Sequence, residues 1–223
     1  MTGLEQQSCK AAILGPLSLK SSTPLLSSKT RWVYEHPYDS SLLVKVHIPR
    51  LPAVQQSGVR VWFAAAKDYF LYSSGMVREL RHFVESRYRD QGLACNRICP
   101  IHGVVETDIG LGLLVSAARA ADGNLAPTLQ NLMDNRLLTD SQVADLRALL
   151  GSMVDSTLTF ADMNYENLVL EHAGDDAERF VIIDGLGDRT WIPTQRWFRS
   201  VRRSKKREFQ QRVERRLSDL GYD

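Results

Sequence analysis

Asp162, Asn167 and Asp184 are the residues whose types and spacing could do chemistry. They sit in LTFADMNYENLVLEHAGDDAERFVIIDGLGD, residues 158–188. Two short apolar runs, Leu168 to Leu170 and Val181 to Ile183, flank a polar turn rich in Gly, Asp and Glu. That pattern predicts an antiparallel hairpin with a longer loop. Asn167 stands just before the first strand and Asp184 just after the second. The start of one strand lies beside the end of its antiparallel partner, so both residues should meet at one end. Asp162, on the loop entering Asn167, brings a second carboxylate. Two carboxylates and an amide oxygen at one spot suit Mg²⁺, which takes a few protein oxygens and fills its shell with phosphate and water. The competing reading is local: a turn Asp in a D-G pair, a strand-start Asn and an Asx-turn Asp.

These residues need elements to position them. Trp32 to Tyr34 is a short aromatic, β-branched run, and LLVKVHI, residues 42–48, alternates with period two. Leu42, Val44, Val46 and Ile48 face one way; Leu43, Lys45 and His47 face the other. With the turn cluster at 36–41 these runs predict a β-hairpin. A Pro-rich connection covers 49–60. From Asp68 to Arg89 the period becomes helical, with Met76, Leu80, Phe83, Val84 and Tyr88 as the buried stripe and Glu79 on its edge. His102 to Val115 predicts two strands around a Thr-Asp-Ile-Gly turn. A short helix is expected over Leu129 to Met133. A longer one runs from Asp140, as N-cap, to Ser156, burying Val143, Leu146, Leu149, Leu150, Met153 and Val154. Phe198, Val201, Phe209, Val213 and Leu217 partly align on a C-terminal helix. The expectation is an α+β chain: a small β-rich lobe followed by a mostly helical one.

Composition sets outer bounds. A chain of 223 residues with 43% hydrophobic and 24% charged residues reads as an ordinary globular protein with a real core. The net charge is only +2, yet ten Lys or Arg against two Glu fall between Arg196 and Arg216. That segment reads either as a face for nucleic acid or an anionic surface, or as a solvated helix packing its sparse apolar residues. Three cysteines are too few for a disulfide framework, and a reducing cytoplasm is the expected setting. Cys95 and Cys99, with His102 nearby, fall short of the four ligands of structural zinc and read as plain thiols. No transmembrane span and no signal peptide are expected.

At this point the residues carry a resemblance. Asp162-Met-Asn-Tyr-Glu-Asn167 looks like the catalytic loop H-R-D-x-x-x-x-N of protein-kinase-like enzymes, and Asp184-Gly-Leu-Gly187 stands where they carry D-F-G. Lys45 in LLVKVHI looks like the lysine of V-A-I-K, and Glu79 in RELRHF like its helical partner. More closely, YEHPYDSSLLVKV, RELRHF, IHGVVETDIGLGLLV, the IDGLGD segment and WIPTQRWFR resemble the PhoP regulatory network protein YrbL family of bacterial proteins, over roughly residues 30 to 215.

The resemblance implies a two-lobed protein-kinase-like fold: a loose arm over 1–24, a β-rich N-lobe with one helix over 25–115, and a reduced helical C-lobe over 116–223. It implies an ATP- and Mg²⁺-dependent phosphotransferase. Lys45 and Glu79 would position nucleotide phosphates, Asn167 and Asp184 would hold metal, and Asp162 would align an acceptor hydroxyl. The short stretch after Asp184 favours a small-molecule acceptor over a protein.

Several positions depart from the kinase pattern. Phe160-Ala161 replaces His-Arg, Asn164 replaces a lysine, and Gly185 replaces the Phe of D-F-G. Leu25 to Trp32 contains no glycine, leaving Ser27, Ser28 and Thr30 to offer donors. These departures define the alternative, a pseudokinase-like regulatory or binding module with an unidentified partner. In the bland readings Lys45 lies on the solvent face of an edge strand and Glu79 is a surface charge. A nucleic-acid-associated factor using the basic C-terminus is the third reading.

Overall fold

The computed structural model describes residues 15–28, 31–48, 75–89, 92–174, 177–187 and 198–222. The Pro-rich connection at 49–60, the first turns of the helix expected from Asp68, most of WIPTQRWFR, and Cys9, Thr30 and Arg196 lie outside the described residues. The chain is a mixed α+β protein with an antiparallel sheet and several helices. It divides into two compact units, residues 1–80 with 100–117, and residues 81–99 with 118–223.

The first unit is built on one antiparallel sheet. Its strands are β1 (Leu26–Ser27), β2 (Arg31–Glu35), β3 (Leu42–His47), β4 (Ile101–Thr107) and β5 (Gly110–Ser116), in the order β1-β2-β3-β5-β4. The period-two alternation of β3 does what it predicts: Leu42, Val44 and Val46 are buried in one cluster with Tyr34, Val105 and Leu114. β4 and β5 meet through the expected turn at Asp108-Ile109. Part of the stretch expected to be a loose arm belongs to this core, because Leu17 and Leu19 are buried in it. Asp108 fixes them there by accepting the Leu19 N–H at 2.7 Å, while the Leu17 N–H donates to the Glu106 carbonyl at 2.8 Å.

Helix α1 (Gly75–Arg89) corrects the predicted stripe. Val84 is exposed, and Tyr88 is 87% exposed, whereas Gly75, Glu79 and Ser86 are buried. Met76, Leu80 and Phe83 of the stripe are half-buried, Phe83 against a core cluster, so the buried face is turned partway round from the apolar stripe and is partly polar.

The second unit is organised around helix α4 (Asp140–Asp155). Its cap is Thr139 rather than Asp140, which is the first helical residue. The Thr139 hydroxyl accepts from the Gln142 N–H, and the Gln142 side chain accepts from the Thr139 N–H, a reciprocal capping box. Val143, Leu146, Leu149, Leu150, Met153 and Val154 are buried as the period predicts. Short helices α2 (Leu93–Asn96) and α3 (Leu129–Asp134) and the long C-terminal helix α5 (Arg199–Leu220) share its core.

The hairpin β6 (Leu168–His172) and β7 (Glu178–Ile182) pairs with Leu168 opposite Ile182. A lone two-stranded ribbon is marginal in water. Here backbone covers both outer edges: Leu170 N donates to the Pro127 carbonyl at 3.0 Å, and Ile182 N to that of Arg97 at 2.7 Å. Asp145 on α4 fastens β7 further, accepting the Phe180 N–H at 2.7 Å and the Arg97 guanidinium at 2.8 Å.

Candidate functional site

In the second unit the hairpin delivers Asn167 and Asp184 to one end, as its polarity requires. Ile183 N donates to the Asn167 carbonyl at 3.0 Å, continuing the ladder one step beyond the strands. The entering loop then pairs with the exit. Phe160 and Leu186 form an antiparallel bridge, Ala161 N donates to the Gly185 carbonyl at 2.8 Å, and Gly187 N donates to that of Thr159 at 2.9 Å. Asp162 thus lies across from Gly185, next to Asp184.

Gly185 makes this approach feasible. Its φ is +88°, and a Cβ there would stand 2.2 Å from the Asp162 carbonyl oxygen and 2.9 Å from Asn167 Nδ2. Only a residue without a side chain fits both the left-handed backbone and the space. The phenylalanine of a D-F-G sequence could not occupy this conformation, so this departure has a structural reason.

Asn167 is oriented from two sides. Its N–H donates to Asn164 Oδ1 at 2.9 Å, closing a short 3₁₀ turn over Tyr165–Asn167. Its Nδ2 donates to the Asp162 carbonyl at 2.9 Å, which fixes the amide and leaves Oδ1 as its acceptor end. Asp184 Oδ1 accepts its neighbour's Gly185 N–H at 2.6 Å. The adjoining backbone thus carries two carboxylate residues and one oriented amide, side chains of the hard-oxygen type that Mg²⁺ takes. Among the described residues no group of three or more His, Cys, Asp or Glu is placed to hold a metal, so the Cys95–Cys99–His102 zinc reading has no geometric support. Cys95 and Cys99 are both buried, and neither forms a disulfide among the described residues. A cavity of about 190 Å³ shares Thr159 and Leu186 with this backbone, but none of the three oxygen-bearing residues lines it.

In the first unit Lys45 is on β3, an interior strand flanked by β2 and β5, not on an edge. Its cross-strand partners Val33 and Leu113 are buried, and Lys45 itself is 9% exposed. A charge held so far from water needs a partner. Glu79 of α1, 6% exposed, supplies it, with Lys45 Nζ to Glu79 Oε1 at 2.9 Å. The solvent-face reading of both residues is thereby replaced. The sequence gives no hint of a third member: Arg31 Nη1 stands 3.3 Å from Glu79 Oε2.

Lys206 is the other residue that sequence reasoning passed over, lost among its basic neighbours. It is 2% exposed. Its Nζ donates to the Ser156 carbonyl at 2.8 Å and meets Ser156 Oγ at 3.0 Å, with the Phe160 ring 5.9 Å away. Ser156 is the C-cap of α4, where unsatisfied carbonyls and the helix dipole favour a cation. Arg203 adds an ion pair to Asp155 at 2.7 Å in the same last turn. Phe209, Val213 and Leu217 seat α5 in the core, whereas Phe198, expected on that face, is exposed.

No helix among the described residues is long and apolar enough to cross a membrane. Two relatives are similar to this chain, the uncharacterized protein YrbL of Escherichia coli (strain K12) and that of Shigella flexneri. Each is 22% identical over 187 residues, spanning 81% of this chain and 78% of the relative. Residues 17–217 match the model of a family described as PhoP regulatory network protein YrbL. An α+β chain with its hairpin-end oxygens and its buried Lys45–Glu79 pair thus belongs, over nearly its whole length, to the PhoP regulatory network protein YrbL family.

Proposed function

We propose that this protein is an ATP- and Mg²⁺-dependent, kinase-like phosphotransferase acting on a small-molecule hydroxyl. In this reading its two units are a β-rich lobe and a reduced helical lobe. The observation that carries the proposal is the buried Lys45–Glu79 pair at 2.9 Å. An ion pair buried on an interior strand contributes little net stability compared with apolar packing, so its presence there favours a role in binding. Lys45, held by Glu79, addresses phosphate oxygens. Asn167 Oδ1 and the Asp184 carboxylate hold the metal, whose chemistry is to neutralise charge on the phosphates. Asp162 aligns the acceptor hydroxyl and takes its proton. The protein contributes positioning and charge neutralisation and forms no covalent intermediate.

A second reading keeps nucleotide binding without transfer, as a regulatory module. It is favoured by the Gly185 N–H to Asp184 Oδ1 bond at 2.6 Å, which engages the metal-directed carboxylate with its own backbone. Thermal shift with millimolar ATP, with and without Mg²⁺, tests both readings in wild type, Asp184→Ala and Lys45→Ala. A ligand that binds only the folded state at a hundred times its Kd adds about 2.7 kcal/mol of stability. The expected result is a Mg²⁺-dependent shift in wild type that each substitution removes, together with phosphate transfer to a hydroxyl compound from an acceptor panel. No shift in wild type overturns both readings. A shift without transfer leaves the regulatory module.

A further inference from the structure

The β1–β2 turn has no glycine, yet it is where a backbone cradle for phosphate would be expected under the function proposed above. It carries a cation instead. Arg31 opens β2, and its backbone is tied across the turn: Ser28 N donates to the Arg31 carbonyl at 2.9 Å, and Arg31 N donates to Ser28 Oγ at 3.2 Å. At its other end the guanidinium meets Glu79 Oε2 at 3.3 Å. The side chain is therefore fixed at both ends.

Its position relative to Lys45 is set by register. Val33 pairs with Lys45 and Arg31 with His47, so Arg31 and Lys45 lie diagonally on one face of adjacent strands. Two like charges so placed repel each other unless something holds them. Glu79 does so by offering one oxygen to each. These three side chains carry a formal +1 between them. Such an array, one planar fork and one point charge ordered around a single carboxylate, matches a polyphosphate, which presents several anionic oxygens at once.

We propose that Arg31 is a second phosphate-directed residue of the chain, held beside Lys45 by Glu79 and taking the place of a glycine cradle for the polyphosphate of the ligand. The proposal rests on the nucleotide reading for its context, but it can fail separately. Glu79 acts through both cations and is a positioning residue. Arg31 confers preference for longer phosphate chains.

The test is calorimetric binding, in the presence of Mg²⁺, of ATP, AMP and inorganic tripolyphosphate to wild type, Arg31→Ala and Arg31→Lys. Removing one charge-assisted contact should weaken ATP and tripolyphosphate about ten- to hundredfold. AMP should be nearly unchanged, and Arg31→Lys should recover part of the loss because it restores charge without the fork. If Arg31→Ala loses its cooperative melt, Arg31→Gln carries the comparison with a polar, uncharged side chain. ATP affinity unchanged in the charge-removing variant overturns the proposal. Equal weakening of AMP does so too, by showing a structural role. Arg31-dependent tripolyphosphate binding without ATP binding supports the proposal and overturns the nucleotide reading. ATP binding abolished by Lys45→Ala but indifferent to Arg31→Ala does the reverse. No binding of either polyphosphate by wild type overturns both.

Discussion

Replacing Gly185 by alanine tests the geometry on which the whole oxygen cluster depends. The backbone term comes first. With φ at +88°, a side chain there costs about 1–2 kcal/mol. The steric term is larger. The new Cβ would stand 2.2 Å from the Asp162 carbonyl oxygen, a backbone atom, and 2.9 Å from Asn167 Nδ2. A methyl carbon wants about 3.5 Å or more, so the loop must withdraw by about 1 Å. Such a shift breaks or stretches the Asn167 Nδ2 to Asp162 carbonyl bond at 2.9 Å and the Ala161 N to Gly185 carbonyl bond at 2.8 Å. Overpacking of this kind costs about 1–3 kcal/mol, lost bonds included.

The expected total for Gly185→Ala is therefore about 2–5 kcal/mol. The molecule supplies its own reference, since Gly123 and Gly174 both have φ of +82° with nothing within 4 Å of the position a Cβ would take. Alanine there bears the backbone term alone, about 1–2 kcal/mol. Denaturant unfolding of the three variants at unchanged m-value separates the terms. Gly185→Ala should also lose any Mg²⁺-dependent response that wild type shows. If it is no less stable than Gly123→Ala and Gly174→Ala, the close approach of Asp162 to the Asp184–Gly185 segment is refuted.

Two further outcomes follow from groups outside the cluster. Lys206→Met keeps the length and removes the donor to the Ser156 carbonyl, leaving the end of α4 under-satisfied. It should cost about 1–3 kcal/mol in denaturant melts, and a neutral result would mean that the lysine is buried for its stem alone. Asp39 titrates below the ordinary carboxylate range, because the Ser41 hydroxyl donates to it at 2.6 Å and the Ser41 N–H at 2.9 Å. A lowered folded value adds stability above the unfolded value, near 4, and loses it as pH falls through the lowered one. Melting temperatures from pH 5 downward should therefore fall less steeply in Asp39→Asn than in wild type. Parallel curves would remove Asp39 from the acid response.

The sequence was most legible where apolar residues alternate or recur at one spacing. The β3 alternation, the β6–β7 hairpin and the buried stripe of α4 all follow from periodicity, which reports where a segment hides its hydrocarbon. Because hairpin polarity is a topological necessity, placing Asn167 and Asp184 at one end needed no tertiary information. The Thr139 cap was written locally as T-x-x-Q, a signal that an acidic first-turn residue obscured. Helix α1 went wrong for an opposite reason. Its most buried residues are Gly75, Glu79 and Ser86, so hydrophobic counting is turned partway round the helix: Met76, Leu80 and Phe83 are half-buried, but Val84 and Tyr88 are exposed. Leu17 and Leu19 gave no signal because their anchor, Asp108, is far along the chain.

Distant polar partners were not legible from periodicity: only the resemblance paired Lys45 with Glu79, as the structure finds them, and nothing pointed to Arg31 or Lys206. Lys45 and Glu79 are 34 residues apart, Arg31 and Glu79 48, and Lys206 and Ser156 50. No window of sequence contains both halves of any of these pairs. A buried cation is tolerable only with oxygen in reach, so each is specified by the assembled fold, not by its neighbours in the chain. The three cases then separate by what their partner is. Lys206 meets a helix-end carbonyl that folding itself creates, and stability accounts for it. Lys45 and Arg31 meet a carboxylate that is itself buried, and an apolar trio of similar volume would serve the sheet at least as well. That difference is why the proposed phosphate site is placed at Arg31, Lys45 and Glu79 rather than on the more basic C-terminal helix.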